Sequence, residues 1–378
     1  MQSQSTILQR MTGSAPWLFS RIAVTRDWRF LSVTIISCAV AAVVASFQYS
    51  VFTSFLRAGA VIPRTVEADF WIVGSTVECF DFPDPFSEDY AAALARFTPD
   101  ARYRRVVFGF APWRSPVGRR GNVAIVGIDD SGLPDTGFAV DRSDLSRLDL
   151  PTQTGAYSEA SIAGTTLHMA QVVDNLPTFL GAPYVLVPFE QGRRMLRMDP
   201  NSTSFVIGNY GSAAPSDFAA MRDQAEKLFP DVSLVSGAEF EQSSSLYWQR
   251  KTGAGAAILL AAVLAALLMV ILLANGISRF IQRYHHDLLS LLGHGASERE
   301  VGAIIMMVAV LIAVVTGVAA VAVTPLAILS TNFMLPWVSF RLSDMLVPLA
   351  AIGGALGFAI ISARRALSAY GPETVFRS

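Results

Sequence analysis

The chain has 378 residues, of which 52% are hydrophobic and only 16% charged, with a net charge of −1 and a positive mean hydropathy. That is too little charge for an ordinary soluble enzyme of this length, and it suits a protein divided between membrane helices and a water-soluble domain. The balanced charge leaves no basic footprint for nucleic acid.

Residues 1–29 carry Arg10, Arg21, Arg26 and Arg29 against one acid, Asp27, and within them 15–22, with Trp17, Leu18 and Phe19, reads as an amphipathic segment lying at a membrane surface. Residues 30–52 are uncharged and long enough to cross the hydrocarbon core. Ile35-Ile36-Ser37-Cys38 has the look of a lipoprotein cleavage box, but the apolar run continues past Cys38 and the basic leader is long for a signal peptide. An uncleaved first span is expected. Cys38 lies inside that run and Cys79 beyond it, so two unpaired thiols are expected, Cys79 being open to reagents if its side chain is exposed.

Residues 53–252 have the mixed pattern of an α/β domain. Alternation predicts strands at 70–73, 105–111 and 122–128, with an amphipathic helix at 87–97. Near the end the pattern recurs, with a strand at 204–209, a helix at 217–228 and a strand at 232–235. The two ends are expected to close one core, with about 130–200, rich in Ser, Asp, Gly and Pro, as a smaller, mostly β insertion. A helix at 239–250 is expected to run straight into the next span and continue the domain rigidly.

Three more spans follow, at 253–277, 301–328 and 345–363, none with an internal charge. Between the first two lies a polar hairpin, 278–300, with three Arg and three His; between the last two lies a loop, 329–344. The leader, the hairpin (Arg279, Arg283, Arg299) and the tail 364–378 (Arg364, Arg365, Arg377) are Arg-rich, whereas the loop has only Arg341. The positive-inside rule therefore puts both termini and the hairpin in the cytoplasm and 53–252 outside.

Within the hairpin, Leu291-Leu292-Gly293-His294-Gly295-Ala296-Ser297 has a turn-like break before Glu298-Arg299-Glu300, where one short helix ends and another begins. Its composition suits a mechanical contact better than a catalytic site. Elsewhere no chemistry assembles. Lysine occurs only at 227 and 251, neither in a phosphate-cradling Gly-Lys-Ser/Thr context, so ATP would have to be bound by another chain. His168 stands alone outside the membrane, Asp129-Asp130-Ser131-Gly132 reads as a turn rather than a calcium loop, and His285-His286 beside Asp287 reads as a juxtamembrane collar. No nucleophile elbow occurs, and no acid or base lies within a span. Ala41 with Ala45, and Gly353 with Gly357, have helix-packing spacing and leave homodimer contacts open.

One span, a large outer domain and three more spans with a Gly-Ala-Ser hairpin form an order of parts that resembles the FtsX/MacB class of ABC-transporter permeases, also called type VII, most of all its DevC-like branch. The resembling stretches are Phe108-Gly109-Phe110-Ala111-Pro112-Trp113, Ala182-Pro183-Tyr184-Val185, Tyr247-Trp248, Thr252-Gly253-Ala254-Gly255-Ala256-Ala257 and Gly295-Ala296-Ser297. The resemblance implies an α-helical membrane protein of the bacterial inner membrane, with four transmembrane helices and a large extracytoplasmic α/β domain between helices 1 and 2. It implies a homodimer whose hairpins, through Asp287, Leu291, Leu292, His294, Gly295, Ala296, Ser297, Glu298 and Arg299, dock on separate ABC ATPase subunits. No cofactor is expected in this chain, ATP and Mg being bound by the ATPase. A periplasmic adaptor (membrane fusion protein) and a TolC-like outer-membrane channel would complete an exporter of lipids, peptides or similar envelope molecules. The same topology also serves an FtsX-like transducer that activates a cell-wall hydrolase, and a LolC/LolE-like lipoprotein-releasing permease. Relatives usually have an aliphatic residue and a basic or small one before the Gly-Ala-Ser turn, and a Glu where this chain has Asp287. Leu292-Gly293-His294 therefore departs from the pattern, either as docking tuned to one ATPase or as drift at a partly exposed contact.

Overall fold

A computed structural model of the chain describes residues 28–94, 100–152, 159–179, 181–211, 218–294 and 296–369. The expected leader helix at 15–22 lies outside them, as do Gly295 and the tail from residue 370. The chain forms two compact units, one of helices and one of mixed α/β structure, divided near Thr53/Ser54 and Ala256/Ala257, with Phe333–Trp337 belonging to the α/β unit.

The helical unit is built on α1 (Trp28–Ala58), α7 (Gly253–Arg283) and α9 (Glu298–Thr331), each long and apolar enough to cross a membrane. The fourth expected span begins in α10 (Leu346–Ala369), where the apolar helical run among the described residues, Leu342–Gly357, is shorter. Small side chains let the backbones approach. Ala41, Ala42 and Ala45 of α1 share a buried cluster with Leu273 and Ile277 of α7 and with Ala309 and Ile312 of α9. A Cβ on Gly276 would stand 2.6 Å from Thr34 Cγ2, so α1 and α7 meet there only because that side chain is missing. Gly353 and Gly357 differ from the alanine pair: a Cβ on either would meet no atom within 4 Å.

The α/β unit begins within the last turns of α1, at Ser54, and continues into α2 (Val61–Thr65). It contains β1 (Phe70–Gly74), β2 (Phe86–Ser87), α3 (Asp89–Leu94), β3 (Arg102–Arg114), β4 (Arg120–Ile128), β5 (Gly137–Asp141), β6 (Glu159–Ile162), β7 (Thr165–Val173) and β8 (Tyr184–Pro188). After them come α4 (Phe189–Met195), β9 (Ser202–Thr203), β10 (Phe205–Asn209), α5 (Phe218–Leu228), β11 (Val232–Ser236) and α6 (Gly237–Arg250). Nine strands form one sheet in the order β11-β1-β10-β3-β4-β8-β5-β7-β6, and β6 returns to pair with the far end of β3 through Trp113↔Ile162. The two chain ends thus meet in β11-β1-β10-β3. The strands of 130–200 continue that sheet instead of forming a second one, and close it into a ring on the distal half of β3.

Strand alternation explains the layers. In β1 all five residues are buried, Trp71 and Val73 on one face and Phe70 and Ile72 on the other. Phe240 of α6 covers the first face and Ala225 of α5 the second. The ring holds its own core of Trp113, Val123, Phe138, Leu167 and Val187. The Asp129-Asp130 turn is held by arginines, Asp129 accepting from the Arg105 backbone at 2.8 Å and from its Nε at 2.9 Å, and Asp130 from Arg102 at 2.7 Å.

Both cysteines are free and buried, Cys79 only 1% exposed, so neither is a surface probe. Val117, at the tip between β3 and β4, is 72% exposed. In intact cells a membrane-impermeant maleimide is expected to label V117C from outside and S297C only after permeabilisation; the reverse pattern would overturn the orientation read from the arginines.

Candidate functional site: the polar hairpin and the aromatic base

Two regions stand out, one in each unit: the polar hairpin of the helical unit and an aromatic cluster in the α/β unit. In the helical unit α7 ends at Arg283, and after Tyr284 a short helix α8 (His285–Gly293) leads to the tip. Leu288 is buried, and Leu291 and Leu292 pack half-buried on the helical core, an i, i+3, i+4 stripe that fixes one face of α8 inward. Asp287, Ser290 and His294 are exposed on the rest. The rings of His285 and His286 lie nearly parallel at 5.5 Å, His286 being exposed and His285 half-buried.

The tip is held by its own caps. The His294 backbone N–H donates to Ser290 O at 3.0 Å, and its ring Nδ1 lies 2.7 Å from the same oxygen. Ala296 N–H donates to Leu291 O at 3.0 Å, the six-to-one bond of a Schellman stop. Ser297 then caps α9: its hydroxyl accepts from Glu300 N–H, and the Glu300 carboxylate accepts from Ser297 N–H at 2.7 Å. Ser297, Glu298 and Arg299 are exposed and Ala296 is half-buried, so a polar surface sits beside backbone N–H groups of His294, Ala296, Ser297 and Glu300 that are already bonded. The Ser-x-x-Glu spacing of this cap is visible in the sequence; the bond from His294 back to its own helix is not.

In the α/β unit the comparable feature is Trp248, near the end of α6. Its indole N–H donates to Asp81 Oδ2 at 2.9 Å, while Tyr184 OH reaches Asp81 Oδ1 at 3.3 Å and Cys79 Sγ lies 3.6 Å from Oδ2. Around it stand Phe179, Phe82 and Phe55, at ring distances of 5.0, 5.9 and 6.4 Å, and Phe55 in turn packs on Trp337 at 5.9 Å. A Cβ on Gly59 would stand 2.5 Å from Trp248 Cδ1, so only glycine lets the chain pass this ring. The cluster therefore gathers the end of α1 (Phe55), the end of α6 (Trp248) and the 333–337 loop (Trp337), the places where the chain leaves the α/β unit.

The expected unbroken helix from 239 into the span is interrupted here. Lys251 terminates α6, its N–H bonded to Tyr247 O at 2.8 Å, and the Thr252 hydroxyl donates to Trp248 O and accepts from Gly255 N–H at 3.4 Å to start α7. A side chain on Gly255 would collide with the Trp248 carbonyl, so the tight two-residue break requires glycine there. Lys251 Nζ also pairs with Glu78 at 3.2 Å.

Burial pushes the Asp81 carboxyl up to about 6, against the pull of its hydrogen bonds from Trp248, Cys79 and Tyr184. Burial and the nearby Asp81 charge push the Cys79 thiol and the Tyr184 phenol up as well. Among the described residues no group of three His, Cys, Asp or Glu is placed to hold a metal ion.

The chain matches no sequence-family model, and no curated protein matches it. Among solved structures it is similar to the periplasmic region of MacB from Actinobacillus actinomycetemcomitans, at 9% identity and TM-score 0.36, over 46% of this chain and 91% of that one. It is also similar to the extracellular domain of the noncanonic ABC-type transporter YknZ from Gram-positive bacteria, at 13% identity and TM-score 0.33, over 45% of this chain and 99% of that one. Neither overlap reaches a score at which a shared fold or function follows from it.

The Asp81 pKa lies above its ordinary 3.8, so the folded chain holds that proton to higher pH than the unfolded chain does. The stability it contributes is complete below 3.8 and is lost as pH rises through about 6, a difference of the order of 3 kcal/mol. In urea unfolding of the solubilised chain followed by Trp fluorescence, Asp81→Asn is expected to remove most of the wild-type decline between about pH 4 and pH 6.5. An undiminished decline in the variant would contradict the assignment.

Proposed function

We propose that this chain is the permease subunit of an ABC-type exporter, working as a homodimer in the bacterial inner membrane with four spans per subunit and both termini cytoplasmic. In this reading α10 supplies the fourth span, and the α/β unit stands in the periplasm. The hairpin docks on a separate ATPase subunit, which binds ATP and Mg, and its motion passes along α7 to the α/β unit. That unit, with an adaptor and an outer-membrane channel, drives out a lipid, peptide or similar molecule taken from the envelope. This chain itself catalyses no reaction.

The observation that carries the reading is the self-capped tip. Ser290, Leu291, His294, Ala296, Ser297 and Glu300 satisfy one another's backbone groups, while Asp287, Glu298 and Arg299 are exposed and make no ion pair among the described residues. An exposed polar contact on a preorganised loop is what a docking subunit requires. The sequence resemblance and the arginine distribution agree with it. Export is favoured over signalling by the large α/β domain and by the resemblance of its motifs to the DevC-like branch.

Replacing Gly295 by Arg and Ala296 by Glu is expected to lower recovery of the ABC ATPase in pull-downs from membranes at least tenfold, a loss of about 1.4 kcal/mol or more, while the amount of inserted chain stays unchanged. Undiminished ATPase recovery would remove the hairpin from the docking role.

A further inference from the structure

Away from both regions, the α/β unit holds a cavity of about 530 Å³, a size that falls in the range of roughly 300–1,000 Å³ common to small-molecule sites. Ile62 of α2, Val126 and Ile128 of β4, Leu176, and Leu186 of β8 give it an apolar floor. Ile62, Val126 and Leu176 are almost fully buried. Arg102 and Arg104 reach the same space. Residues 102, 104, 106 and 108 of β3 share one face, and Val106 and Phe108 lie in the same buried cluster as Val126, so the two arginines stand where that apolar face opens.

The arginines differ. Arg102 is neutralised by Asp130 at 2.7 Å. Arg104 donates from Nη2 to Glu67 O and to Asn209 Oδ1, at 3.1 Å each, both neutral acceptors, and makes no ion pair among the described residues. A guanidinium is always charged, and this one has unsatisfied charge facing an apolar space. Glu67, whose side chain is exposed on the same rim, is bonded to Arg104 through its backbone and opposes an anion only weakly across solvent. Ile62 also follows the end of α1 at Ala58 by a few residues, so the cavity is built in part from the segment that emerges from a membrane-capable helix, where acyl chains abound.

We propose that this cavity binds a single-chain anionic amphiphile, its acyl chain on the Ile62–Val126–Leu186 floor and its carboxylate or phosphate on Arg104. Binding is a property of the α/β unit and needs no ATP, so it stands or falls separately from the export reading; where both hold, it names the class of cargo.

The test uses the full chain in zwitterionic nanodiscs with a diazirine-bearing hexadecanoic acid, the adducts being mapped by mass spectrometry. Adducts are expected on peptides containing Val126–Ile128 and Leu176–Leu186. Hexadecanoate and hexadecyl phosphate should compete, hexadecanol and hexadecylammonium at least tenfold less well, and inorganic phosphate not at all. Shortening the competitor from 16 to 12 carbons should weaken it of the order of a hundredfold. Arg104→Gln should reduce labelling about tenfold and Ile128→Trp, which fills the cavity, should abolish it, while Glu67→Gln should leave it equal or stronger. Trypsin resistance of the α/β unit confirms that each variant is folded. Labelling confined to the membrane helices, or equal in folded Arg104→Gln, Ile128→Trp and wild type, would overturn the proposal.

Discussion

The bond from the Trp248 indole to the buried Asp81 carboxylate fixes the part of the α/β unit where the chain enters and leaves it. It sets where α6 stops. The same residue packs edge-to-face with Phe55 and Phe179 and tilted against Phe82, its carbonyl receives the Thr252 hydroxyl, and its ring leaves no room for a side chain at Gly59. Aromatic pairs of this kind each add about 0.5–1.5 kcal/mol beyond the area they bury. Asp81, by contrast, costs free energy when ionised in such surroundings, and three donors offset only part of it. The base is therefore specific rather than maximally stable, a buried polar group that accepts one arrangement of partners.

For the proposed transmission of motion, the break at Lys251–Thr252 replaces one rod by two helices. A continuous helix would push the α/β unit as a rod, whereas two helices joined by a capped turn let bending concentrate at two residues. The turn is not loose, because Thr252 bonds in both directions and Lys251 reaches Glu78. At the hairpin the same economy recurs. Helix caps at His294 and Ser297 hold the tip, while Leu288, Leu291 and Leu292 tie α8 to the helical core.

Much of this was legible in the residues. Long uncharged runs gave the membrane-capable helices, and alternation gave β1, β3, β4, β10 and β11, because period and hydrophobicity are local properties. The continuation of the sheet through 130–200 was not legible, since which strands pair depends on contacts between β4 and β8 some sixty residues apart in sequence. Asp81 carried a faint signal as an acid between two phenylalanines, yet nothing local names Trp248 as its partner. The helix break had only a weak local signal in Thr252-Gly253 and Gly255, poor helix formers, and the crowding of Gly255 against the Trp248 carbonyl shows how closely the chain turns there. At the tip the Ser297–Glu300 spacing was readable, whereas the His294 contact with Ser290 O depends on a side-chain rotamer that no local pattern specifies.

The proposed function holds that ATP turnover in an ATPase subunit docked on the hairpin moves the α/β units of a homodimer. In the proposed homodimer, reconstituted with an ABC ATPase, spin labels at V117C on the exposed β3–β4 tip would report that motion directly through the distance between copies. Trapping with ATP and vanadate is expected to shift the distance distribution from that of the nucleotide-free complex, and Ala296→Glu is expected to abolish the shift. The same distribution in both nucleotide states of the wild type, or no dipolar signal between copies at all, would contradict the account.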